Sequence, residues 1–423
     1  MAAENTIEKF TSHQILVIFL LAMTQFTVIL DFMVMSPLGD LLMKSMTLTT
    51  TQFGAAVSAY AFSAGIAGLL TAGFADRFDR KKLLLFFYVG FIVGTLLCGL
   101  TNSYPMLLGA RIVTGLFGGV IGSISMAIVA DLFPLAKRGR VMGYMQMGFG
   151  ASQVLGIPIS LFIANVWGWQ SPFLAIVAIS LIVWLIIIFS MQPINEHLRV
   201  KSDKNALMHL VHTLTNGRYR LGFLATALLM LGGFMMMPWG SAFAVNNLLV
   251  PQERLPILFM VAGVASLVIM PVIGRLSDKI DKFRIFVMAS VWMMVMVVIY
   301  TNLGPIPFWL VLVLNVLFMI GILSRMVPSM ALVSALPEMQ DRGAFMSINS
   351  SLGQIAGGVS AMVGGMIVVQ KDNFSPLEHY DTLGYIIVVL SIIGIFLVYR
   401  VSREIAGSKD RPIAVSEAPV LAE

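Results

Sequence analysis

The chain has 423 residues, of which 58% are hydrophobic and only 11% charged. Soluble domains carry about 25% charged residues, so the composition excludes an ordinary water-facing surface. The one cysteine, Cys98, excludes an intrachain disulfide. The formal charge of +6 sits in clusters between apolar runs, which marks the loops of a membrane protein rather than a nucleic-acid surface.

The apolar runs are about 20 residues long, the length a helix needs to cross a bilayer core of about 30 Å. Short alternating segments of the kind that build β-barrels are not seen, so the expected fold class is an all-α membrane protein. Lys9 alone precedes the first run, and no small-residue cleavage site follows it, so that run reads as a retained helix rather than a signal peptide. In chain order the predicted spans are 14–38, 52–75, 82–102, 105–131, 139–164, 171–191, 219–243, 254–275, 284–302, 307–335, 343–369 and 382–402. The one long connection, 192–218, divides a first bundle (1–191) from a second (219–402) and leaves a tail (403–423) expected to be disordered. Within the connection Leu207, Leu210, Val211 and Leu214 follow helical spacing beside Lys204, His209 and His212. That pattern predicts an amphipathic helix at the membrane interface, with a flexible linker as the alternative.

With the N-terminus inside, the cytoplasmic segments hold 22 of the 27 basic residues, so both termini are expected in the cytoplasm. The two bundles also repeat. Asp76-Arg77-Phe78-Asp79-Arg80-Lys81 follows the second span, and Asp278-Lys279-Ile280-Asp281-Lys282 follows the eighth, 202 residues later. Arg138-Gly139 before span five recurs as Arg342-Gly343 before span eleven, 204 residues later. Two anchors at nearly one displacement indicate an internal duplication.

The loop after span two resembles the signature Gly-x-x-x-Asp-Arg/Lys-x-Gly-Arg-Arg/Lys of the major facilitator superfamily. It keeps Asp76, Arg77, Arg80 and Lys81, with Ala72 and Asp79 at the usual glycines; the second copy keeps Gly274, Asp278, Lys279 and Lys282, with Asp281 at the later glycine. Arg111 with Gly115 is similar to the family's Arg-x-x-x-Gly element, and Gly156-Ile157-Pro158 resembles its antiporter element without the usual adjacent glycine and proline. Leu30-Asp31-Phe32, Trp167-Gly168-Trp169 and Ser324-Arg325-Met326-Val327-Pro328 look like the bacterial branch of drug–proton antiporters and sugar-efflux permeases. The resemblance implies twelve transmembrane helices in two pseudo-symmetric six-helix bundles, placed in a bacterial inner membrane.

A carboxylate at the end of span two or eight can sit against the positive N-terminus of a helix in the other bundle: span eleven for Asp76, span five for Asp278. Arg80 can pair with Asp131, and Lys282 with Glu338. Such contacts, with Arg77 and Lys279, would gate the cytoplasmic side; the plainer reading is ordinary loop charge.

Among Asp, Glu, Lys and Arg, only Asp31, Arg111 and Arg325 lie well inside spans. Each costs at least about 2.5–3.5 kcal/mol at a helix centre and needs a partner or water. Asp31 and Arg111 both fall in the outer half of the first bundle, which predicts a pair: a proton-coupling carboxylate tuned by arginine, or a permanent structural bond. Arg325 has no acidic partner within a span; it binds an anionic group, lines water or makes a structural bond. Gln25, Tyr60, Gln146, Gln153, Asn315, Asn349 and Gln354 are candidates for the substrate cavity, as are Met235, Met236 and Trp239, whose thioethers and indole suit varied apolar shapes.

The leading functional expectation is proton-coupled efflux of small apolar or amphipathic compounds by a monomer, with protons and the bilayer as its other partners. The alternatives are a facilitator or symporter for a polar solute such as a sugar, and a non-transporting membrane sensor. No P-loop, nucleophile elbow, metal motif or cofactor motif is present, so neither an enzyme nor a bound cofactor is expected.

Overall fold

The computed structural model describes residues 10–71, 78–195, 198, 206–338 and 341–409, and the described chain is helical apart from one isolated bridge between Val369 and Glu378. The first bundle is built from α1 (Ser12–Val34), a short α2 (Gly39–Met46), α3 (Thr50–Thr71), α4 (Arg80–Leu100), α5 (Tyr104–Leu132), α6 (Leu135–Ala151), α7 (Ile157–Trp167) and α8 (Ser171–Ser190). After α9 (Ala206–Thr215), the second contains α10 (Gly217–Phe234), a short α11 (Gly240–Asn246), α12 (Leu255–Lys279), α13 (Lys282–Thr301), α14 (Phe308–Ser334), α15 (Arg342–Ile367) and α16 (Tyr380–Lys409). Among the described residues eleven helical stretches are long and apolar enough to cross a membrane. The remaining span, α15, eleventh in chain order, falls short because serine, asparagine, glutamine and glycine dilute its apolar residues. Helix α16 continues seven residues beyond the predicted end at 402.

The helix starts show what the departures from the loop signature do. Asp79, at a usual glycine position, caps α4 by accepting a hydrogen bond from the Lys82 backbone N–H at 3.0 Å. Its counterpart Asp281 caps α13 from the Arg284 N–H at 2.9 Å. A carboxylate cap satisfies an otherwise orphaned donor and faces the positive end of the helix. Span five is one element in two pieces: α6 and α7 join through a π turn at Ser152–Gly156, immediately before Pro158. Gly156 there lets α1 approach, since a Cβ would lie 2.7 Å from Leu30 Cδ1.

Lys81, Arg138 and Lys282 lie at helix starts on the same face as the start of α1 and the end of α16, called here the basic face. At the opposite face, residues related by the duplication meet each other. Ser36 Oγ donates to the Met237 carbonyl. The Asp40 N–H points to Ser241 Oγ at 3.4 Å, 201 residues away. Lys44 Nζ donates to Asn246 Oδ1 at 3.2 Å, 202 residues away. Phe32 and Phe234 pack with ring centroids 5.8 Å apart. Counterparts of a duplicated unit touch only where they straddle the pseudo-two-fold axis, so the ends of α1, α2, α10 and α11 close over that axis. Asp40 is 2% exposed and accepts from Lys44 at 2.9 Å and Asn246 Nδ2 at 2.7 Å.

Two lateral seams join the bundles. Along α3 and α15 the backbones nearly touch: a Cβ on Gly54 would lie 2.8 Å from the Ala361 carbonyl, and one on Gly65 2.8 Å from that of Ser351. Ser58, Thr50 and Thr51 donate to the carbonyls of Gly358, Val368 and Gly365 at 2.7–2.9 Å. The second seam is looser, with Gly263 of α12 against the π-turn carbonyl of Gln153.

Helix α9 falls where the amphipathic pattern placed it, with Leu210 against the apolar core at the basic end of the second bundle. His209 Nε2 lies 3.0 Å from Asp341 Oδ1, at the start of α15, and the Tyr219 hydroxyl donates to Asp341 Oδ2 at 2.7 Å. The Tyr219 bond, followed by His209, holds the Asp341 carboxyl below its ordinary range against the opposing effect of burial. Its stabilisation is therefore present at neutral pH and is lost as pH falls below the ordinary carboxylate value.

Two predictions follow from these contacts. Replacing Asp79 or Asp281 by Ala removes a cap and should cost about 1 kcal/mol of stability, read as a lower melting temperature in detergent. Asp40→Ala removes one charge-assisted bond across the axis, from Asn246, worth about 1.5–3 kcal/mol. It should raise the rate at which a cysteine placed at Ser36 reacts with a membrane-impermeant maleimide; an unchanged rate would show that Asp40 does not hold this face closed.

Candidate coupling site and transport cavity

Four helices of the first bundle surround the intramembrane charges. Asp31 comes from α1 and Arg111 from α5; Arg111 Nη1 donates to Asp31 Oδ2 at 2.8 Å, and both side chains are 0% exposed. Thr95 Oγ1 of α4 donates to Asp31 Oδ1 at 3.1 Å. The Arg111 guanidinium lies 4.6 Å from the ring centroid of Tyr60 on α3. Glycines bring these helices close enough. A Cβ on Gly115 would lie 2.4 Å from the Tyr60 carbonyl, and one on Gly94 2.7 Å from the Thr114 nitrogen. The Arg-x-x-x-Gly element thus has a local cause: Gly115 seats α5 on α3, and Arg111, one turn away, reaches Asp31.

Arg111 Nε and Nη2 find no hydrogen-bond partner among the described residues. The pair is therefore ion-paired but not saturated with hydrogen bonds, and the aromatic face of Tyr60 supplies part of the compensation. Tyr60 in turn packs on Phe32, at 5.0 Å, and Phe32 on Phe234 of the second bundle. A continuous line of contact thus runs from the charged pair to the pseudo-axis.

The other cavity candidates divide. Gln25, Asn315 and Asn349 each hold a buried side-chain oxygen without a hydrogen-bond partner among the described residues. Gln153 Nε2 reaches Met33 Sδ at 3.5 Å, Gln146 is exposed, and Gln354 is half-buried. Met235, Met236 and Trp239 do not line open space: all three are buried, and the Trp239 ring packs against Gly54, Gly364 and Gly365 at the meeting of α3 and α15. The glycines create a slot that an indole fills. Arg325 faces neither the first bundle nor an acid; its Nη1 donates to Ser391 Oγ of α16 at 3.1 Å and approaches Met293 Sδ of α13 at 3.8 Å. Of its three readings, the structural bond is the arrangement seen, to a hydroxyl and a thioether rather than to carbonyls.

Among the gating candidates, Arg80 Nε pairs with Asp131 Oδ2 at 3.0 Å, inside the first bundle. Lys81 donates to the carbonyls of Ile188 and Met191 at the end of α8, and Arg138 to those of Ala130 and Phe133 at the end of α5. Cations at helix C-termini satisfy orphaned carbonyls and favour the dipole. Lys282 donates to the Ser277 carbonyl at 3.0 Å rather than to Glu338, whose backbone N–H meets the Tyr219 hydroxyl at 3.2 Å. Lys279 ends α12 and is exposed. Asp76 and Arg77 lie outside the described residues, and Asp278 is described only as part of the α12 backbone. The Asp40, Lys44, Asn246 and Ser241 cluster was missed by sequence reasoning. Its signal was the displacement of 201–202 residues, applied to polar residues at the far ends of spans one and seven.

Comparison with known proteins matches this architecture. The Major Facilitator Superfamily model matches residues 21–327 and 222–422. Multidrug resistance protein 3 of Bacillus subtilis is 31% identical over 43% of this chain and 38% of its own length. A probable sugar efflux transporter of Helicobacter pylori is 23% identical over 94% of this chain and 97% of its own. A bacterial homolog to the human lysosomal transporter Spinster, in an inward-facing and unoccupied conformation, superposes with a TM-score of 0.76 at 16% identity, covering 96% of this chain and all of that one. The chain belongs to the major facilitator superfamily of membrane transporters.

Proposed function

We propose that this protein is a proton-coupled exporter of small apolar or amphipathic compounds, working by alternating access as a monomer in a bacterial inner membrane with its basic face in the cytoplasm. The observation that carries the reading is the Asp31–Arg111 pair, fully buried and confined to one bundle. Its counterpart position in the second bundle, 204 residues after Arg111, is the neutral Asn315. Separating a buried pair leaves a carboxylate in an apolar pocket, and such a group takes up a proton. A motion that draws α5 from α1 therefore converts a change of shape into proton uptake at Asp31. The line Arg111–Tyr60–Phe32–Phe234 supplies the contact between that event and the seam of the two bundles.

The substrate class rests on the apolar composition of the spans and on the printed name of the multidrug relative. A second reading, movement of a polar solute such as a sugar, is favoured by the partnerless amide oxygens of Gln25, Asn315 and Asn349 and by the name of the Helicobacter relative.

Reconstituted vesicles test the coupling. A panel of apolar and polar compounds should contain members that release protons from an acid-loaded interior. Asp31→Asn keeps the shape of the side chain and should lower that release about tenfold or more, a rise of ~1.4 kcal/mol or greater in barrier height. Undiminished release by Asp31→Asn would remove the carboxylate from the coupling mechanism. Release driven by sugars alone would favour the second reading.

A further inference from the structure

An apolar recess lies apart from the charged pair. It is a groove of about 780 Å³ whose floor is α1 and whose walls are α6, α7 and α8. Helix α8 packs on α1 and on α7, whereas no comparable contact joins α8 to α6. The wall is therefore parted toward the basic face, and the floor of the groove is uncovered there. Ile15 and Phe19 of α1 are 56% and 54% exposed, and Met147, Leu155 and Ile159 of the facing wall are exposed as well. The lining is apolar except for Ser160 and the Tyr144 hydroxyl.

The basic end of the groove is different in kind. Phe10 lines it and is held edge-on by Phe133 and Tyr144, with centroids 6.1 and 6.3 Å away. Arg140 places its guanidinium 4.7 Å from the Phe10 centroid, and Lys137 its Nζ at 5.9 Å. Two cations are thus fixed over one ring at the mouth of an apolar trough. Among the described residues Arg140 enters no ion pair. Helix α6 begins beside them at Pro134, without a side-chain cap, so its positive end adds to the same potential.

We propose that this groove is a binding site for one anionic phospholipid of the leaflet at the basic face. An acyl chain lies along Ile15, Phe19 and Met23 in the gap between α6 and α8. The phosphate is held by Arg140, with the charge of Lys137 beside it adding to the attraction. Basic pockets between membrane helices select anionic headgroups because the charge attraction adds to apolar burial. The chemistry fits a lipid better than a transported compound, because the groove opens sideways and reaches only the outer flank of α1 at Leu30, away from the Asp31 carboxylate. The assignment does not depend on the direction or coupling of transport.

Native mass spectrometry of the detergent-purified full chain, offered phosphatidylglycerol and phosphatidylcholine with identical acyl chains, tests it. The wild type should retain phosphatidylglycerol several-fold more than phosphatidylcholine. The double variant Lys137→Gln/Arg140→Gln should lose that preference, while Arg400→Gln/Arg403→Gln, a basic pair at the same face on α16, should keep it. Ile159→Trp, which fills the trough, should lower retention of both lipids. Melting curves within a few degrees of wild type establish that the variants fold. Equal retention of the two lipids by the wild type, or equal loss of preference in the α16 control, would overturn the site. Displacement of the adduct by inorganic phosphate would also overturn it, by showing a free-anion site instead.

Discussion

The bond between Asp31 and Arg111 constrains the whole first bundle. Neither charge can sit alone in a bilayer core, and breaking a buried pair by removing one partner costs about 3–5 kcal/mol. Everything around the pair serves to hold it: Gly115 and Gly94 bring three helices together, Thr95 supplies a second donor, and Tyr60 covers the guanidinium. Among the described residues the second bundle holds no buried acid–arginine pair. Its own buried cation, Arg325, is held by a serine hydroxyl and a thioether, and its centre is an aromatic stack of Phe243, Tyr300, Phe318 and Tyr380. The duplicated units therefore share a frame and differ in chemistry.

The frame accounts for how the bundles meet. Because the units are related by a pseudo-two-fold axis, the residues nearest that axis face their own counterparts, and the contacts at the face opposite the basic loops arise from this rule. The lateral seams obey the same symmetry but not the same packing. The α3–α15 seam is a glycine-lined, backbone-to-backbone contact, whereas α12 meets a π turn on the other side. A π turn beside a proline leaves carbonyls without regular helical partners and is a point where a helix changes shape at low cost. At the basic face the signature cations Arg80 and Lys81 hold the ends of α5 and α8 within the first bundle, so part of the loop motif serves the rigidity of one half rather than contact between halves.

Much of this was legible in the sequence, because the membrane imposes simple rules. Span length, clustered charge and a repeat displacement gave the helices and their division, and the isolation of Asp31 and Arg111 was enough to expect their pairing. The loop carboxylates were harder. Asp79 and Asp281 read as departures from a glycine pattern, yet they are helix caps, a role set by backbone geometry that a motif does not display. Asp341 stands beside Arg342 with no motif or spacing to mark it, although it anchors both α9 and Tyr219. Met235, Met236 and Trp239 suited a ligand pocket by type, yet all three are buried, and only the glycines of α3 and α15, brought close by the fold, show the slot that the Trp239 ring fills. Composition records which groups are available; three-dimensional proximity decides whether they pack or bind.

The central claim is that protonation at Asp31 is linked to opening at the axis. The most direct measurement is the distance between spin labels on Ser45→Cys of α2 and Glu253→Cys just before α12, one in each bundle at the face opposite the basic one, recorded across a pH series in lipid nanodiscs. Cys98 is fully buried and need not be replaced. The account predicts two populations of distance whose ratio changes with pH in the wild type and is fixed in Asp31→Asn. A pH response of the same size in Asp31→Asn would contradict it.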